Sequence, residues 1–82
     1  MGQMKYIRLR DEGFVIFEQH IQHSDMLEML AKTRADVRSA GFVSGFFEEG
    51  YEPKCNGESV SLGISSRADD SDALNRRMNG YV

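Results

Sequence analysis

The sequence predicts an α+β domain: a mainly antiparallel sheet of four or five strands, element order β-β-α-β-(β)-β-α, with a long helix across one face. Three observations point there. Two apolar runs flank a turn at residues 11–13, an apolar stripe recurs at helical spacing between Met26 and Ala40, and strand-like runs on either side of Asn56-Gly57 precede a second helical segment.

The first element pair is a hairpin over residues 4–19. KYIRLR and FVIFEQ flank Asp11-Glu12-Gly13, with glycine where a three-residue turn needs a left-handed residue. That turn sets Arg10 against Phe14, Leu9 against Val15 and Ile7 against Phe17. Ile7, Leu9, Val15 and Phe17 then share the core face. Tyr6, Arg8, Arg10, Phe14, Ile16 and Glu18 share the other.

A polar connector, His20 to His23, leads to a helix expected from Ser24 or Asp25 to Ala40. Asp25 and Glu28 have capping-box spacing, and Glu28 and Lys32 form a favourable i,i+4 pair. Met26, Met29, Leu30, Thr33, Val37 and Ala40 lie on one stripe, and Gly41 is the expected stop.

FVSGFF (42–47) reads as the next strand. Asn56-Gly57 is a hairpin signal that would return YEPKC into ESVSLGIS, and Pro53 confines such a strand to a sheet edge. The alternative is one long loop between the strands. Val60, Leu62 and Ile64 alternate with small residues, as in a half-buried strand over 59–65. A helix from about Ala68 to Asn79 carries Leu74 and Met78 on one side, with acids at its start, Arg76 and Arg77 near its end, and Gly80 as cap.

The length of 82 residues fits one domain spanning 1–82, with a thin core that gains from a partner subunit. A net charge of −3 is too mild for a nucleic-acid footprint, so a nucleic-acid partner is not expected. A single cysteine, Cys55, fits a reducing compartment. The N-terminal MGQMKYIRLR lacks an apolar stretch, and Tyr6 breaks the myristoylation pattern. Neither signal peptide nor lipid anchor is expected, nor any membrane partner, and the expected location is cytoplasmic. Met1 and Met4 are both candidate starts.

Ser59, in NGESVSLGIS, has the spacing of a nucleophile elbow. Such an elbow runs strand–turn–helix with glycines on both sides; here a turn precedes the serine, a strand follows, and Ser61 replaces the second glycine. Ser59 is therefore expected only to begin a strand. His20, His23 and Asp25, with Cys55, have the residue types of a metal site. No second cluster at zinc-like spacing accompanies them, so neither metal nor cofactor is expected. Glu48, Glu49, Glu52, Asp69, Asp70 and Asp72 fall in a loop and a helix start, where solvated carboxylates rather than catalytic ones are expected.

The chemistry-bearing surface is the second face of the hairpin. Tyr6, Arg8, Arg10, Phe14 and Ile16, with Lys5 nearby, interleave aromatic, aliphatic and basic groups. Apolar patches with polar rims mark interaction sites, so this patch is expected to meet a second copy or a protein partner. Two alternatives compete: a nucleic-acid-binding face, and a C-terminal helix that folds over the patch.

The stretches GFVIFEQHIQHSDM, SAGFVSGFF and CNGESVSLGISSRADDSDALNRR resemble short accessory proteins of bacterial phages and prophages. The resemblance implies a small cytoplasmic protein made in a bacterium, acting by binding a host or phage protein, and it assigns no functional residue. The expectation is a non-enzymatic protein-binding module, homodimeric, working by surface occlusion or assembly.

Overall fold

The computed structural model describes residues 3–11, 13–45 and 52–79. The α+β class holds. Strands β1 (Gln3–Leu9), β2 (Phe14–Phe17), β3 (Val37–Ser44) and β4 (Lys54–Asn56) form a four-stranded antiparallel sheet in the order β2-β1-β3-β4. β5 (Glu58–Ser59) and β6 (Ile64–Ser65) form a separate two-stranded hairpin, and the helices are α1 (His23–Met29) and α2 (Asp70–Asn79).

The β1–β2 register differs from expectation by two residues: Ile7 faces Val15, and Arg8 faces Phe14. The turn closes on Gly13, whose carbonyl accepts from Leu9 N at 2.8 Å. A slip of two preserves the side-chain alternation, so the predicted faces survive. Ile7, Leu9 and Phe17 lie in one core with Leu27 of α1, Val37 and Ala40 of β3, and Leu62 of the β5–β6 turn; Val15 packs against it. Tyr6, Val43 and Leu74 of α2 form the core on the opposite face, with Met4, Phe14, Ile16, Cys55 and Met78 packed against them. The sheet is thus covered on both sides, by α1 and the small hairpin on one and by α2 on the other.

The long helix is not formed. α1 ends at Met29, after only seven residues. Ala31 adopts φ 57°, its N–H donates to Glu28 O at 3.0 Å, and Lys32 N donates to Leu27 O at 3.1 Å. This is the Schellman closure, built here on alanine where glycine is usual. Thr33 and Asp36 then hold a 3-10 turn, Arg34–Asp36, through Thr33 N to Asp36 Oδ2 at 2.8 Å. The buried residues of α1 are His23 and Leu27, whereas Met29, on the expected stripe, is 71% exposed.

The stretch 37–41 is strand, so β3 begins five residues earlier than expected. Gly41 lies inside it, opposite Tyr6 of β1. Because β3 is central and covered on both faces, Val37, Ser39, Ala40, Gly41 and Val43 are all buried. That pattern erases the period of two by which a strand is recognised. A bulge between Arg8 and Leu9 shifts the pairing so that Leu9 faces Val37.

Asn56-Gly57 does not turn a hairpin either. Gly57 takes φ +80°, but β4 pairs with β3 and β5 with β6, so Gly57 carries the chain from one sheet to the other. The expected strand over 59–65 is instead a tight hairpin with residues 60–63 as its turn, and Val60 is 87% exposed. Pro53 directly precedes β4, which is indeed an edge strand. α2 begins at Asp70, two residues later than expected, and buries Ala73 and Leu74. Phe46, Phe47, Glu48, Glu49 and Gly80 lie outside the described residues.

Candidate functional site

The polar residues of β1 converge on one acid. Asp70 opens α2 and is fully buried, contrary to the solvated position expected for it. Its Oδ1 accepts from Arg8 Nη1 at 2.9 Å and Ser39 Oγ at 2.8 Å. Its Oδ2 accepts from the Tyr6 hydroxyl and from Arg67 N at 2.8 Å. Alternation along β1 aims Tyr6 and Arg8 at the α2 face, and Ser39 sits opposite Arg8 on β3. The Arg67 contact is the capping arm that an acid in the first turn supplies to the backbone three residues before it.

Arg8 also reaches Asp69 Oδ2 at 3.2 Å and lies over the Phe14 ring, 5.5 Å from its centroid. Burial opposes the Arg8 charge, but hydrogen bonds to Asp70 and Asp69 outweigh it and raise the pKa. The Arg8 hydrogen bond holds Asp69 below the usual carboxylate range. Burial, then the Asp70 carboxylate, pushes the Tyr6 phenol far upward. The same two causes push the Cys55 thiol up to about 11. Near neutral pH the phenol and the thiol are protonated, and both oxygens of Asp70 are engaged. These groups satisfy one another, and their work is to fasten α2 across β1 and β3.

The expected interaction surface is redistributed accordingly. Tyr6 and Arg8, at 0% and 3% exposure, belong to the core under α2 and offer no face for stacking bases. Phe14 and Ile16 are half-buried at the sheet edge. Arg10 is exposed, its Nε donating to Ala35 O at 2.7 Å. A helix laid over the hairpin face, the competing expectation, is what the chain forms.

The remaining candidates fall apart from one another. Ser59 is buried, and its Oγ accepts from Leu62 N at 3.2 Å, which closes the β5–β6 turn. Ser61 Oγ accepts from Ser24 N at 3.1 Å and ties that turn to α1. His20 is exposed beside Glu18, at 3.2 Å. His23 is buried, its Nε2 2.9 Å from Gly41 O and its ring edge-on to Phe17 and Phe42. Burial lowers its pKa, more than the bond to the Gly41 carbonyl restores. Asp25, Glu52 and Asp72 are exposed, and Cys55 is on the opposite face from His23. Among the described residues no group of three or more His, Cys, Asp or Glu is placed to hold a metal, and no helix is long and apolar enough to cross a membrane.

One concave surface opens beside His23. A groove of about 480 Å³ runs between α1 and the β5–β6 hairpin, lined by Lys5, Gln22, His23, Phe42, Glu58, Val60 and Ser61. Phe42 and Val60 give it an apolar floor and lip. Lys5 and Glu58 place opposite charges on its rim, although Lys5 Nζ also donates to Ile21 O at 2.8 Å. Nothing local in the sequence marks this groove, because alternation over 59–65 puts Val60 on the core side of a continuous strand, whereas the β5–β6 turn leaves it exposed. No protein-family model, curated protein or solved structure matches the chain.

Proposed function

We propose that this chain is a small, non-enzymatic protein-binding module, homodimeric and of phage or prophage origin, that works in the cytoplasm by occluding or assembling a protein surface. The observation that carries this reading is the groove beside His23. Val60 is a large aliphatic residue left 87% exposed next to Phe42, within a polar rim. Apolar surface rimmed by polar residues marks interaction sites when it is contiguous, so the reading rests on Val60 together with the Phe42 ring in one groove, not on Val60 alone. The reactive groups of the β1 face, by contrast, are consumed in fastening α2. Wild type and Val60→Glu serve as paired baits on a bacterial lysate. A protein retained stoichiometrically by wild type and lost with Val60→Glu is the expected result. Identical captures, or retention dominated by nucleic acid that falls steeply with salt, would overturn it.

A further inference from the structure

We propose that the outer edge of β2 pairs with β2 of a second copy of this chain, antiparallel about a two-fold axis through Val15, so that two sheets become one. This rests on the homodimer reading and names its interface.

The two edges of the sheet are built differently. β4 is three residues long, follows Pro53 and begins with Lys54. Its main chain is further occupied by α2: Cys55 N donates to Ser71 Oγ at 2.8 Å, and Asn75 Nδ2 donates to Pro53 O at 3.1 Å. Short length, proline, lysine and a covering helix are the devices that protect an edge from another strand. β2, at four residues, is short too, but it carries neither proline nor lysine. It reads Phe14-Val15-Ile16-Phe17, without charge or proline, and among the described residues nothing pairs with its outer side.

The direction of its main chain follows from the ladder. Leu9 N donates to Gly13 O at 2.8 Å, and hydrogen-bonded pairs alternate along an antiparallel ladder. Val15 opposite Ile7 and Phe17 opposite Lys5 therefore continue the bonded set with β1. The N–H and C=O groups of Phe14 and Ile16 point outward. Such a row is a template for an extended strand and is otherwise left to water.

The side chains select which strand. Val15 is half-buried on the α1 face, and Phe14 and Ile16 are half-buried on the α2 face. A partner must therefore be apolar on both faces, and β2 is itself such a strand. A two-fold axis normal to the sheet sets Val15 against its own copy, with Phe14 of each chain opposite Ile16 of the other. This register keeps every outward bond inside the strand. The register centred on Ile16 would need Glu18, whose carbonyl already accepts from Ile21 N at 3.2 Å.

The test uses the full chain with Cys55→Ser, so that an added Val15→Cys is its one thiol. Val15→Cys should cross-link to a covalent dimer under mild oxidation, because side chains directly opposite in a non-bonded pair stand about 4.5–5.5 Å apart at Cβ. Val60→Cys, more exposed, should cross-link far less. Ile16→Pro removes an outward N–H while sparing the β1 ladder. It should weaken dimerisation in sedimentation velocity by about tenfold or more, with native circular dichroism. A wild-type dimer whose Val15→Cys form fails to cross-link overturns the β2 edge and leaves the homodimer standing on another surface. A wild-type monomer at tens of micromolar overturns both. If Ile16→Pro fails to fold, the cross-linking result alone decides.

Discussion

Replacing Asp70 by alanine tests the fastening of α2 most directly. The substitution removes the acceptor of four hydrogen bonds, from Tyr6, Arg8, Ser39 and Arg67. Removing one partner of a buried ion pair costs about 3–5 kcal/mol, because the remaining charge is left uncompensated. Here Arg8 keeps a contact with Asp69, which is 57% exposed, and that moves the expectation toward the lower end. The hydroxyls of Tyr6 and Ser39 add in the other direction, since each orphaned buried donor costs about 1–3 kcal/mol. These terms overlap, and a net loss of about 3–4 kcal/mol is expected. A domain of this size has about 4–12 kcal/mol in total, so Asp70→Ala removes a large share of its stability. In urea melts followed by circular dichroism the midpoint should fall by about 2 M, taking a slope of about 1.5 kcal/mol/M. The double variant Arg8→Met/Asp70→Ala separates charge from packing. If the buried guanidinium is the main cost, the double variant recovers at least about 1 kcal/mol relative to Asp70→Ala. A loss below about 1 kcal/mol for Asp70→Ala would refute the reasoning, because a fully buried acceptor of four donors cannot be removed at so small a cost.

Three further outcomes are expected. Ala31→Gly should stabilise the protein by about 0.5–1 kcal/mol, because the left-handed conformation costs an L residue about 1–2 kcal/mol and glycine loses part of that gain in backbone entropy; an unchanged or lower melting temperature would count against the Schellman closure. Gly41→Ala should destabilise strongly, since a Cβ there would fall inside the contact distance of the Asn56 carbonyl oxygen where the chain leaves β4; a wild-type melting temperature would show that this crossing is misplaced. His23 ties stability to pH: its native pKa lies below the ordinary 6.5, so the unfolded chain takes up the proton first. The neutral imidazole's contribution is fully present above about pH 6.5 and declines as pH falls toward the native pKa. Urea midpoints between pH 7 and 5 should show this slope in wild type and a shallower one in His23→Gln.

What could be read from the sequence was whatever local spacing and side-chain alternation specify. The hairpin of β1 and β2, its two faces, the apolar side of α2 and the edge position of β4 follow from such spacing, and a register error of two left the faces intact. Tertiary structure decided the rest, wherever a residue's neighbours lie far along the chain. Val37 to Gly41 suit a helix end as well as a strand until β1 pairs beside them and α2 and the β5–β6 hairpin cover their two faces. Ala31 ends α1 without the glycine that would announce it, although Thr33-x-x-Asp36 was a local sign that a new turn begins. Asp70 looks like one more acid at a helix start. Its burial depends on Tyr6 and Arg8, more than sixty residues earlier, and on the Ser39 hydroxyl. A carboxylate can leave water only where such donors already converge, and that convergence exists only once the sheet has formed.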